Sequence, residues 1–188
     1  MIRALSAEPI PAEVINRLLD TARRAPSAGN SQGVTFVVLD RPELTRLYWN
    51  TTLPQPRRVS FRWQKLLDAP VLILVMTDPS RYTDRYRQPD KVTSGRTTID
   101  DWPVPYWWVD TGAVIQNLLL LVTESGLGAC LFGPFDHEPA LIAAFDLPPG
   151  RRITATIAVG QTLEDEPGRS FHQARRPISE IIVRPKPS

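Results

Sequence analysis

Near the start of the chain apolar residues recur every three to four positions, with Val14, Leu18 and Ala22 in one line and Ile15 and Leu19 beside them. That spacing predicts an amphipathic helix, with Pro11 and Glu13 in its first turn and Pro26 ending it. The period then changes. Residues 34–39 are a short run of β-branched and aromatic side chains, and residues 71–76 are apolar without interruption. Both predict buried strands, the second a central one. Residues 42–49 predict a short helix, 50–58 a loop broken by Pro54 and Pro56, and 63–68 a further helical turn. Between 113 and 122 only Gln116 and Asn117 are polar. This predicts a helix capped by Asp110 and running to about Ser125, apolar almost all round and therefore buried in a domain centre or between two subunits. Gln116 and Asn117 must then find partners, most often backbone groups. A glycine-punctuated strand leading into a turn follows over 126–135, then a short helix over 138–145, a strand over 153–159, and an extended tail over 161–188 with a strand-like stretch at 181–183.

Residues 78–106 show no period, carry four prolines and alternate charged with aromatic residues. A segment of this length inside one domain reads as a functional lid, a docking arm or a partly disordered stretch. Its end, with the neighbouring residues, concentrates Trp102, Trp107 and Trp108, which suit an oligomer interface, the cover of a core edge or a stacking wall for a flat substrate.

The 188 residues are enough for one sizeable core and short for two, so one domain over 1–188 is expected. The charge balance of 22 Lys+Arg against 20 Asp+Glu leaves +2, which gives no reason to expect a nucleic-acid partner. The single cysteine, Cys130, cannot make an intrachain disulfide, and no basic segment followed by an apolar core opens the chain. A cytoplasmic location is the expectation. Apolar runs fall far below the roughly 18 residues of a membrane span, so no membrane partner is expected. No metal site is expected either.

Between the first helix and first strand, residues 25–36 read Ala-Pro-Ser-Ala-Gly-Asn-Ser-Gln-Gly-Val-Thr-Phe. Ser27, Asn30 and Gln32 offer a hydroxyl and two amides, while Gly29 and Gly33 permit either sign of φ and close approach. Such a loop can cradle a planar polar ligand. The same residue types also accumulate in ordinary helix-to-strand connections, and composition alone leaves both readings open.

Several stretches in order resemble the nitroreductase superfamily of flavin oxidoreductases. Residues 9–11 and the following helix are similar to its N-terminal helix, and residues 25–32 match its Ala-Pro-Ser-x-x-Asn-x-Gln signature. Asp110 through Gln116-Asn117-Leu118-Leu119 resembles its central helix, Gly126-Leu127-Gly128 the segment after it, and Arg175-Arg176-Pro177 the basic element before its last strand. Each piece is weak alone; five in sequence order are a strong signal. The resemblance implies an α+β fold, a mixed central sheet flanked by helices, and an intertwined homodimer with two FMN sites at its interface. It implies NADH or NADPH as electron donor and a small planar acceptor such as a nitroaromatic or quinone. It implies no dedicated catalytic acid or base, since the chemistry resides in the flavin.

By the same resemblance, Arg3, Arg175 and Arg176 are expected at the FMN phosphate and ribityl chain. Pro26, Ser27, Ala28, Asn30 and Gln32 are expected on one side of the cofactor, and Leu131, Phe132 and Gly133 at the ring edge. Tyr106, Trp107 and Phe132 are the expected wall for the acceptor. Two departures stand out. Met1 occupies the place of the serine in the family's Arg-x-Ser-x-Arg opening, of which Arg3 is the last arginine. Gly33-Val34 replaces a frequent Pro-Trp, leaving room that Trp63 or Trp107 could fill. A non-catalytic flavin or planar-ligand protein of the same fold is the alternative reading; a basic nucleic-acid module is a third, which the near-neutral charge opposes.

Overall fold

Every residue of β2 (Val71–Thr77) is buried, because the strand is covered on both faces. The computed structural model, which describes residues 1–166, 168 and 171–185, shows how. β2 pairs with β1 (Val34–Leu39) and with β4 (Arg152–Gly160), and β4 pairs with β3 (Gly128–Phe132), giving the order β1-β2-β4-β3. All three pairings are antiparallel, so among the described residues the sheet is not the mixed one that the resemblance implied. The class remains α+β.

Alternation along β2 divides the core. Val71, Ile73 and Val75 meet α1 (Ala12–Ala22) and α5 (Tyr106–Glu124), while Leu72, Leu74 and Met76 face Tyr48 and Trp49 of α2 (Pro42–Thr52) and Leu141 of α6 (Glu138–Ala144). Successive side chains of a strand point to opposite faces, so an uninterrupted apolar run serves two cores at once. In β4, Val75 pairs with Ala155 but Met76 pairs with Ile153, leaving Thr154 as an extra residue. This bulge sends Ile153 to the Leu141 side while Ala155, Ile157 and Val159 stay on the α5 side.

Four local expectations are corrected. α2 continues to Thr52, and residues 55–58 form a short helix, α3 (Gln55–Arg58), with proline in its first turn rather than a loop. Within 78–106, Asp78 caps a helix, α4 (Pro79–Tyr86), its side chain accepting from Ser80 N–H at 3.0 Å. α5 begins at Tyr106, which places Asp110 inside it, not at its cap. Residues 178–181 are a helical turn, α7 (Ile178–Ile181), not part of a strand. Residues 167, 169, 170 and 186–188 of the tail lie outside the described residues.

Within one chain α5 is buried on one side only. Val114, Ile115, Leu118 and Val122 enter the core, whereas Val109, Gln116 and Leu120 face outward. Within one chain Gln116 is exposed and open to solvent.

The start of β4 is anchored on α6. Glu138 accepts from Arg152 through both oxygens at 2.9 Å and from Ile153 N–H at 2.8 Å. Burial works against the charged carboxylate, but these bonds outweigh it and hold the Glu138 pKa below its ordinary 4.5. A depressed folded-state pKa adds stability that is complete above the unfolded value and fades as pH falls through the folded one. Glu138→Gln should therefore lower the melting temperature at pH 7 and flatten its fall below about pH 4.5, as read by thermal melts across pH.

Candidate functional site

The cradle is a strained loop. Gly29, Asn30 and Gln32 have φ of 59°, 58° and 52°. For residues with a Cβ this region costs on the order of 1 kcal/mol each, least for Asn and more for Gln. Inside the loop, Ser27 Oγ accepts from Gln32 N–H at 3.1 Å and Asn30 Oδ1 from Gln32 Nε2 at 3.3 Å. Pro26, Ser27 and Gln32 line a cavity of about 210 Å³ together with Arg23 and Asp110.

Asp110 explains the position of this loop. Its Oδ2 accepts from Ala28 N–H at 2.8 Å and from the Tyr82 hydroxyl at 2.9 Å. Tyr82 is wholly buried, and burial, with the adjacent carboxylate, pushes its phenol far above the usual range, so it stays a donor. The same ring explains Gly33: a Cβ there would overlap it. The proline that the family often carries at this position would therefore meet the Tyr82 ring.

A second group of site residues lies elsewhere. Leu131, Phe132 and Gly133, with Arg3, line a cavity of about 340 Å³ whose walls include Trp49 and Trp63. Phe132 stacks on Trp49 with centroids 5.8 Å apart and planes at 19°. Burial pushes the Cys130 thiol up, so at neutral pH this wall presents no thiolate. Tyr48, its phenol pushed up to about 12 by burial, bonds to Thr156 at 2.9 Å. Phe135, at φ 46° and 82% exposed, stands at this cavity beside Gly133.

Arg3 and Arg175 face a further cavity of about 630 Å³. The Arg3 guanidinium lies 5.0 Å from the Trp63 ring centre, where Arg62 also stacks at 4.4 Å. Its backbone N–H donates to Asp165 at 2.6 Å. Among the described residues neither Arg3 nor Arg175 makes a side-chain ion pair. Arg176 does: its Nε reaches Glu180 Oε2 at 3.2 Å and another nitrogen the Glu180 carbonyl at 3.1 Å. The structure thus separates two arginines that sequence treats alike.

The expected wall of Tyr106, Trp107 and Phe132 is not assembled within one chain. Trp107 is buried against Tyr82 and Trp102, with its carbonyl accepting from Thr77 and Thr111 hydroxyls. Tyr106 is half exposed beside Trp102, and neither borders the Phe132 cavity. Trp63 and Trp107 do not line the cradle cavity either; Tyr82 takes the place of a side chain at Gly33, and Gly33 and Val34 themselves line the cavity. Sequence reading missed Tyr82, Arg85, Trp49 and Phe135, and took Asp110 for a cap. For Asp110 a signal existed: once the helix begins at Tyr106, it is a lone acid in an otherwise apolar stretch.

Comparison with known proteins follows the same lines. The sequence profile of the Nitroreductase family matches residues 1–161. An iodotyrosine deiodinase of Nematostella vectensis is 25% identical over 97% of this chain and 70% of its own length. An NADH dehydrogenase of Thermus thermophilus is 24% identical over 97% and 90%. Among solved structures, a nitroreductase-like protein from Streptococcus mutans superposes with a TM-score of 0.75 at 19% identity, covering 98% of this chain and 93% of its own. A nitroreductase-type protein from Desulfovibrio desulfuricans in complex with FMN gives 0.68 at 24%, covering 99% and 92%. The strained Ser-Asn-Gln cradle, the arginine cavity and the antiparallel α+β core thus lie in a chain that belongs to the nitroreductase family.

Proposed function

We propose that the protein is an FMN-dependent oxidoreductase, working as a homodimer, that takes reducing equivalents from NADH or NADPH and passes them to a flat acceptor such as a nitroaromatic or quinone. The observation that carries this reading is the division of the site. The arginine cavity and the cradle cavity share no lining residue within one chain, yet each offers half of what FMN needs. Arg3 and Arg175 supply forked cations suited to a phosphate dianion, while the Asp165 and Glu166 carboxylates of the same lining are engaged by the Arg3 backbone N–H and by Arg62. Ser27, Asn30 and Gln32 supply short polar groups for the ribityl chain or ring, and the backbone of Leu131, Phe132 and Gly133 lies beside an aromatic wall. The donor set therefore fits FMN, provided that two copies bring the halves together.

The surface supports such a pairing. Leu120 is 60% exposed on the outer face of α5, and Phe171, Ile178 and Val183 of the tail stand clear of their own chain. Apolar side chains placed this way gain by meeting a second copy. The Thermus thermophilus relative, an NADH dehydrogenase, and the FMN in the Desulfovibrio desulfuricans structure favour the donor and cofactor named here.

When bound, FMN would supply acceptance and return of hydride; the residues of this chain bind, orient and exclude water. The aromatic lining of Trp49, Trp63, Phe132 and Phe135 suits a planar ring and selects little else. Purified protein should show flavin bands in its absorbance spectrum, and NADH or NADPH should bleach them anaerobically. With donor and acceptor using one flavin face in turn, initial rates over a grid of both should give parallel double-reciprocal lines. Intersecting lines would refute the alternating scheme, and bound flavin that neither nucleotide bleaches would identify a carrier instead.

A further inference from the structure

We propose that α4 and Asp110 form a rigid backing that sets the shape of the cradle before any ligand arrives, with Asp110, Tyr82 and Arg85 as its positioning residues. The inference rests on the flavin reading above only for the identity of the ligand. It begins from strain: three cradle residues sit at positive φ, and two of them are not glycine. Such conformations persist only where the surroundings over-determine them. Within the loop, Asn30 and Ser31 N–H donate to the Ser27 and Ala28 carbonyls at 2.8 and 3.1 Å and the Ser31 hydroxyl to the Ala28 carbonyl at 2.6 Å, but these bonds, like those of Gln32, are local and tie the loop only to itself.

The surroundings supply what is missing. Asp110 Oδ2 takes the Ala28 N–H at 2.8 Å while Tyr82 holds that same oxygen at 2.9 Å. From α4, Arg85 Nε donates to the Gly29 carbonyl at 2.8 Å, and the guanidinium is itself held by Asp90 through two contacts of 2.7 and 2.6 Å. Asp78 N–H donates to the Gly33 carbonyl at 2.8 Å. The rings of Tyr86 and Tyr82 lie so close to Gly29 and Gly33 that neither position has room for a Cβ. Each of these contacts falls on backbone or on glycine, so they fix the path of the chain and leave Ser27, Asn30 and Gln32 bonded only within the loop, through contacts of 3.1 and 3.3 Å. The segment that reads in sequence as an arm or lid is thus the mould of the site. A loop shaped in advance spares the ligand the cost of ordering it.

Asp110 is nine-tenths buried, and both of its bonds fall on Oδ2. Among the described residues Oδ1 has no hydrogen-bond partner, and Asp110 borders the cavity that Ser27 and Gln32 line. One carboxylate therefore both fastens the loop and faces the space the loop encloses.

Two measurements on the full-length chain test the proposal. Arg85→Ala removes a partly exposed side chain and no core contact. In flavin-free protein it should raise amide exchange at Ala28, Asn30 and Ser31 about tenfold while the melting temperature moves little. It should also weaken FMN binding about tenfold, the amount expected from losing one oriented bond. Asp110→Ala should do both more strongly, and Asp110→Asn should restore FMN affinity to within about threefold, because an amide oxygen can accept the same two bonds. Unchanged exchange in Arg85→Ala would overturn the proposal. So would an Asn variant as weak as the Ala variant. Wild-type protein that binds no FMN would refute the flavin reading, and amide exchange would still decide the question of the backing.

Discussion

Arg175→Ala should weaken FMN binding about ten- to a hundredfold, whereas Arg176→Ala should change it less than about threefold. The contrast follows from where the two guanidinium groups are engaged. Arg175 faces the cavity that Arg3 also lines, without an ion pair among the described residues. Arg176 is folded back on Glu180 by two contacts within one turn of α7. A charge-assisted hydrogen bond contributes about 1.5–3 kcal/mol, and 1.4 kcal/mol is one decade of affinity. Arg3→Ala should fall in the same range as Arg175→Ala, with some added loss because its guanidinium also packs on Trp63. Flavin fluorescence titration reads all three variants. Equal loss for Arg175→Ala and Arg176→Ala would mean that the tail rearranges around the phosphate, and no loss for Arg3 and Arg175 would remove the phosphate from this cavity.

Leu120→Arg should convert the protein from dimer to monomer at micromolar concentration and abolish flavin retention with it. The substitution lies on the exposed face of α5, so within one chain it disturbs no packing and the fold should persist. Between two chains it would set a charge into an apolar contact, where an unpaired buried charge costs several kcal/mol. Loss of FMN in a folded monomer is the telling result, because it follows only if each site draws the cradle from one copy and the arginines from the other. Truncation after Gly168 should have the same two effects by removing Arg175 and the exposed apolar residues of the tail. Sedimentation velocity with absorbance detection reads assembly and flavin together; a folded wild-type monomer, or a monomeric Leu120→Arg that keeps its flavin, would contradict the scheme.

Much of the architecture was legible without coordinates, because it rests on local rules. The four-residue line of Val14, Leu18 and Ala22 gives α1, and the unbroken run at 71–76 gives β2, a strand buried on both sides. The cradle was visible as a concentration of Ser, Asn, Gln and Gly, and the family resemblance gave it a ligand. α4 was missed although Asp78-Pro79-Ser80 is a sound helix start. Pro79, Tyr82, Thr83 and Tyr86 do recur at helical spacing, but none is aliphatic and charged residues stand between them, so the face reads as part of a mixture of charge and aromatics.

What the sequence determines by itself, then, is each element whose side chains repeat with the period of the structure they form, and the chemical stock of the cradle. What only the tertiary structure decides is where each of several identical residue types is placed. Arg175 and Arg176 are neighbours with the same side chain, and only the proximity of Glu180 removes one of them from the cavity. Trp107 and Trp63 are both tryptophan near a candidate site, yet one is sealed under Tyr82 while the other carries Arg3 across its face. Asp110 reads as a cap because helix caps are local, and becomes the clasp of the cradle because Ala28, 82 residues away in sequence, arrives with an N–H that needs an acceptor. Pairings of that range depend on how the layers stack, and no window of neighbouring residues carries that information.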